Sequence, residues 1–480
     1  MIYHPGSFNE DMHFFVHSGS ELGARHLQCV LIFLGLTTAM MQRVNLSVAI
    51  VAMMDKNSAN PDFEEYQWSE KTKSYVLSSF FWGYFITQIP GSQLAQRFGG
   101  KVMMLGCVSL SGFLALLTPL SVRIGDWKLF CALRITQGLM QGSIFSAIHT
   151  LLSKWIPLEE RGSLGTFCYA GLNFGSVVVL MVSGWIASSS FGWPGIFYFC
   201  GLASIIWSVV WLFLGASTPS DYNWISDEEK SYIEIALSSA VNFKHDQESM
   251  KTPWLKILTS APFWVLLFAQ STSAWAYWLL VTQTPSYMKY VLGQDIKSNA
   301  LMSATPYLVS LVLTFLFCVL ADFLIRRGYT SIDTSRKLFN TIGFWVPVVP
   351  LILLGYMSPD QSLLAVILLV IAVSSNTAGS LGFLTNHIDL APNFAGILMG
   401  LCNCSANIMG FLAPLTVGFI VTEATNVQQW RIVFFIAGGC FFFGNLLFIL
   451  FGKTNIQPWN YPKSQKDQRD HISFKAIINE

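Results

Sequence analysis

Apolar positions along the chain come in long, nearly unbroken blocks, unlike the alternation of a half-buried strand or the narrow stripe of a soluble helix. A hydrocarbon core about 30 Å thick takes about 20 apolar residues per helix. Measured that way, the blocks predict twelve spans, at 27–53, 74–95, 102–122, 128–152, 163–187, 195–215, 262–286, 301–324, 338–357, 362–385, 395–420 and 431–451. The expected fold class is therefore an all-α polytopic membrane protein, with both ends on one face because the number of crossings is even. The longest polar insertion, 216–260, follows the sixth span and contains Ser226 with Glu229 three residues on, a capping-box pattern that predicts a short helix. It divides the chain into an N-terminal tail (1–26), a six-helix half (27–215), a central loop, a second half (261–452) and a C-terminal tail (453–480).

The halves echo one another at an offset of about 235 residues. Gly165, Asn173, Gly175 and Gly184 match Gly400, Asn407, Gly410 and Gly418, and Trp193, Phe197 and Gly201 match Trp430, Phe434 and Gly438. Two echoes in the same order predict a duplicated architecture, the arrangement in which two bundles rock about a site at the midplane. Arg97, Lys101, Lys154, Arg161, Arg326, Arg327, Arg336 and Lys337 all fall on the even-to-odd connections, which places those loops, the central loop and both tails in the cytosol.

Composition agrees with this reading and removes rivals. Charged residues make up 11% of the 480, far below the quarter usual in soluble domains, and mean hydropathy is +0.50. A net charge of +1 argues against a nucleic-acid partner. The nine cysteines lie in or beside spans as small buried hydrophobes and suggest neither a disulfide framework nor a metal site. The first 25 residues lack the apolar region of a cleavable signal, so the first helix is expected to direct insertion.

Two formal charges lie well inside spans: Arg43 in the first and Arg134 in the fourth. An arginine there costs several kcal/mol unless paired or wetted, and marks a functional site unless it snorkels or binds backbone carbonyls. No Asp or Glu lies in a span interior to neutralise them, the nearest being Asp322 at the end of the eighth span, so the empty site is electropositive, and a guanidinium fork suits carboxylate or phosphate oxygens. Gln137 and Gln141 follow Arg134 at helical spacing, with Phe145 and His149 further along. Each glutamine is either a substrate contact or a hydrogen bond between helices. Trp275, Tyr277, Trp278 and Asn376 are candidates for the opposite wall, with packing as the alternative reading. Isolated histidines without clustered carboxylates argue against a membrane-embedded enzyme.

Four stretches resemble the anion/cation symporter family of the major facilitator superfamily, which contains sodium-phosphate cotransporters, sialin and the vesicular glutamate transporters. They are Arg43–Ile50, Phe80–Gly91, Trp155–Gly162 and Asn386–Pro392. The resemblance implies the major facilitator fold, secondary active transport by alternating access, and Arg43 and Arg134 as substrate-site residues. Gln137 and Gln141 stand where sialin-like members have glutamates, which brings the chain nearer the sodium-phosphate branch. A small anion such as inorganic phosphate is the implied substrate, with sodium as coupling ion, no other cofactor, and a monomer in the plasma membrane as the working form. Potential-driven transport of organic anions is the rival, and a non-transporting sensor on the same fold is a further alternative. Gating residues by the same resemblance are Arg97, Arg161, Asp322 and Arg326; Gln96 replaces the usual aspartate before Arg97.

Overall fold

The computed structural model describes residues 23–55, 59–157, 160–248 and 252–460. The side chains of Arg161, Asp322 and Arg326 lie outside what it describes. The elements in order are α1 (Ala24–Met54), α2 (Glu70–Phe98), α3 (Gly100–Gln141), α4 (Ile144–Trp155), α5 (Arg161–Ala187), α6 (Gly192–Leu214), α7 (Asp227–Glu248), α8 (Trp254–Leu258), α9 (Ala261–Tyr290), α10 (Ile296–Arg326), α11 (Ile332–Leu354), α12 (Ser362–Asn376), α13 (Thr385–Leu390), α14 (Ala395–Ile420) and α15 (Val427–Phe451).

Among the described residues, ten helical stretches are long and apolar enough to cross a membrane. One of them, Gly100–Trp155, runs for 56 residues and is two crossings. It leaves helical geometry at Gly125 and at Asp126, whose φ of 49° is unusual for a residue with a side chain. The twelfth crossing is α2, less apolar than the ten because Ser78, Ser79, Thr87 and Gln88 interrupt its apolar run. The predicted spans thus correspond to twelve helical crossings.

Two crossings are less regular than hydropathy predicts. The fourth breaks at Gly142 and Ser143, where a Cβ on Gly142 would collide with Thr87 and with the carbonyl of Tyr84 on α2. The tenth loses α-helical geometry after Asn376 and passes through a π-helical turn, Ser380–Leu384, into α13. A π turn leaves a backbone group without its usual partner. Asn340 of α11 supplies one, its Oδ1 accepting the N–H of Phe383 at 3.3 Å.

The predicted repeat recurs in spacing but not in ring orientation: Trp193 and Phe197 entering α6 have centroids 6.2 Å apart at 82°, and Trp430 and Phe434 entering α15 are 6.3 Å apart at 31°. The halves meet where α1 packs on α9, α2 on α14 and α5 on α10. Both described chain ends lie on one face, here the near face. Contacts between the halves concentrate toward the far face. Asp55 after α1 pairs with Lys289 of α9 at 3.1 Å, Lys73 stands 5.2 Å over the ring of Tyr290, and Lys71 stands 5.1 Å over Phe419. Ser74 of α2 packs so closely on Gly418 of α14 that no Cβ would fit there. Toward the near face Asn407 of α14 donates to Gln88 of α2 at 3.2 Å; beyond it Leu94 and Phe98 are exposed, and Gly400 faces open space.

The central helix α7 is fastened to the N-terminal half. Ser226 caps it, its Oγ accepting the N–H of Glu229, but the Glu229 carboxylate does not complete the predicted box. It accepts the N–H groups of Ala24 and Arg25 at 2.7 and 3.0 Å, capping α1 instead. The buried Arg25 guanidinium pairs with Glu229 at 3.0 Å and Glu160 at 2.9 Å. At 22 residues α7 is also longer than the short helix expected.

Candidate anion site

The site begins with two glycines that let helices touch. A Cβ on Gly83 of α2 would lie 1.9 Å from the carbonyl oxygen of Ile135, and one on Gly138 would lie 1.9 Å from that of Phe80. With neither present, α2 lies directly against the second arm of α3. This contact slots the fully buried Phe80 ring between the arginines: its centroid is 5.2 Å from the Arg43 guanidinium carbon and 5.3 Å from that of Arg134.

The two arginines are held differently. Arg134 is 2% exposed, and its Nη1 donates to the Gln42 carbonyl at 2.9 Å and to Gln137 Oε1 at 3.2 Å, while Nη2 donates to the Arg43 carbonyl at 3.4 Å. It binds the backbone of α1 where Arg43 sits. Arg43 is less buried; among the described residues no carboxylate pairs with its guanidinium, its Nε has no hydrogen-bond partner, and the Tyr84 hydroxyl interacts with it without forming a well-aligned hydrogen bond. Aromatic faces surround it instead: Tyr84 at 4.5 Å, Phe80 at 5.2 Å and Trp278 of α9 at 5.6 Å. Such contacts are worth about 0.5–2 kcal/mol each, short of what a buried cation loses in hydration. Ion pairs among the described residues lie at the two ends of the bundle, and none reaches either arginine.

Gln137 and Gln141 face into the N-terminal half. The amides of Gln141 and Gln42 lie 3.0 Å apart, the Gln141 amide also reaches Ser111 Oγ at 3.2 Å, and Gln137 Nε2 donates to the Ser111 carbonyl at 3.3 Å. Both side chains are essentially unexposed. His149 lies past the break in the fourth crossing, exposed, with its Nε2 3.0 Å from the hydroxyl of Tyr169 on α5. On the other wall Tyr277 lies edge-on to Trp278 and Tyr307, with ring centroids 5.3 and 6.3 Å away. Asn376 donates to the Gly343 carbonyl at 3.0 Å and to Ser273 Oγ at 3.4 Å, tying α12 to α11 and α9. Trp275 is buried in α9. Arg97 is exposed at the end of α2, 5.7 Å over the ring of Phe98.

Sequence reasoning about the site did not pick out Phe80, Tyr84 or Gln42, and it placed Trp278 on the opposite wall without linking it to Arg43. Phe80 and Tyr84 share a helix face four residues apart, a visible signal, but nothing along the chain shows that this face meets Arg43.

A duplicated twelve-helix bundle with unpaired cationic groups at mid-depth defines a multi-pass membrane transporter. The Major Facilitator Superfamily model matches residues 32–414. The "Putative inorganic phosphate cotransporter" of Drosophila ananassae is 36% identical over 472 residues, covering 94% of this chain and 96% of that one. Sialin of Homo sapiens is also 36% identical, over 457 residues, covering 91% of this chain and 90% of its own. Among solved structures, a bacterial homolog of the human lysosomal transporter Spinster, inward-facing and occupied, superposes with a TM-score of 0.66 over 90% of this chain and 98% of its own, at 13% identity. The chain belongs to the Major Facilitator Superfamily and, within it, to the anion/cation symporter family.

Proposed function

We propose that this protein is a secondary active transporter of inorganic phosphate or a related small anion, coupled to sodium, with Arg43 as the group that meets the anion. The observation that carries this reading is the state of Arg43: a guanidinium inside the bundle that no carboxylate pairs with among the described residues and whose Nε has no hydrogen-bond partner. Arg134 adds to the positive potential and holds the α1 backbone that presents Arg43. Likeness to a phosphate cotransporter favours phosphate, and sodium comes from the same family resemblance. With both tails cytosolic, the seam between the halves is tightest on the extracellular side, as in an inward-facing state. We place the working monomer in the plasma membrane.

A second reading, potential-driven transport of organic anions, is favoured by the rings of Phe80, Tyr84 and Trp278 around Arg43, an apolar wall that suits a carbon skeleton. Uptake into proteoliposomes of labelled phosphate, against a panel of organic anions, with sodium or choline outside, separates the two. Phosphate uptake that requires sodium supports the first reading. Organic-anion uptake that follows membrane potential and ignores sodium replaces it with the second.

A further inference from the structure

We propose that Trp278 is a latch between the two halves, and that an anion arriving at Arg43 releases it. This rests on Arg43 being the anion contact. Arg43 belongs to α1 in the N-terminal half, as do Phe80 and Tyr84 on α2, whereas Trp278 comes from α9 in the C-terminal half. Its ring therefore makes the one of the three cation–π contacts that crosses the interface, at 5.6 Å. The indole is held firmly. It is 8% exposed, meets the ring of Phe81 on α2 at 4.7 Å in an edge contact, and is backed by Gly410 of α14, where a Cβ would come within 3.2 Å of it.

Arg43 draws its attraction from ring quadrupoles, and an anion outcompetes a π face for a guanidinium because it offers full charge and hydrogen-bond acceptors. A guanidinium turned toward an anion leaves the Trp278 face, and the halves lose one attraction at mid-depth. Binding then shifts the balance between the two positions of the halves, which a ligand achieves only by interacting differently with each. Arg134 stays on the backbone of α1 throughout, so the release is confined to Arg43.

The latch can be read without any ligand. Ser74 is buried against Gly418 at the far face, so a Ser74→Cys thiol becomes reachable when the halves part there. Its labelling by an impermeant maleimide, corrected for protein lacking it, reports that parting in proteoliposomes. Trp278→Leu should speed labelling at least about fivefold, the loss of one desolvated cation–π contact. Arg43→Gln should do the same, and the double variant should label no faster than either, since both delete one interaction. Trp278→Phe keeps a ring and should stay near the parent. A double variant whose acceleration is the product of the single ones, or a Trp278→Leu protein that labels at the parental rate, overturns the latch. Inorganic phosphate should speed labelling of the parent and leave Arg43→Gln unchanged. If the two substitutions are coupled but phosphate does nothing, release by the anion falls and the latch remains. If phosphate acts but the substitutions are independent, the latch falls and the anion reading stands.

Discussion

Arg43 and Arg134 have the same charge and flank the same ring, yet their surroundings assign them different work. Arg134 gives its two terminal nitrogens to two carbonyls and an amide oxygen, and hydrogen bonds from a charged donor contribute about 1.5–3 kcal/mol each. Arg43 meets mainly aromatic faces. Arg43→Ala should therefore abolish uptake while the protein still folds and reaches the cell surface. Arg43→Lys should restore little, because an ammonium lacks the fork. Arg134→Ala should lower thermal stability by several degrees and reduce surface delivery along with transport, since the charged hydrogen bonds that tie α3 to two carbonyls of α1 are lost. Surface biotinylation, uptake and melting temperature of the three variants check this. An Arg134→Ala protein as stable as the parent and dead only in transport would make the two arginines equivalent ligands instead.

The helices are shaped by contacts that hydropathy does not register. Gly83 and Gly138 let α2 touch the second arm of α3, and the break at Gly142 comes where α2 again presses closest. Gly138→Ala should cost at least about 2 kcal/mol, the range of overpacking, because the new Cβ meets backbone that cannot turn aside. It should also push Phe80 from between the arginines and so impair transport. Gly106→Ala, on the same helix but with open space around it, should leave stability unchanged or raise it by up to about 1 kcal/mol through helix propensity. The two melting curves, side by side, test whether close approach rather than glycine flexibility matters here. The stitching of the tenth crossing by Asn340 and the capping of α1 by Glu229 are of the same kind: polar groups that answer backbone needs on distant helices.

The whole molecule is two bundles joined by α7, which moves with the N-terminal bundle because Arg25, Glu160 and Glu229 bind it there. Basic residues on the even-to-odd loops, together with an even number of crossings, predict that α7 and both tails are cytosolic. An epitope inserted at Asn242 should be detected only after permeabilisation. Staining of intact cells would invert the topology and make the tight far-face seam the cytosolic one. In either orientation Asp55–Lys289, Lys71–Phe419 and Arg43–Trp278 must part for the opposite face to open.

Local physics was enough for the fold. Twelve apolar blocks, each about as long as a bilayer is thick, leave a chain little alternative to twelve helices, and internal echoes such as Trp193/Phe197 with Trp430/Phe434 show that the bundle is doubled. The same accounting exposed the site's central fact, two arginines in spans without a carboxylate. The division of labour between them was not legible. Gln137 and Gln141 share a helical face with Arg134 in sequence, and only the packing of α1, α3 and α6 turns that face toward Gln42 and Ser111. Phe80, Tyr84 and Trp278 lie 37, 41 and 235 residues from Arg43 in a chain rich in aromatics. Helical period tells which residues share a face but not which faces meet. That is set by the close approach that Gly83, Gly138 and Gly410 permit, a property of pairs of helices rather than of any one segment.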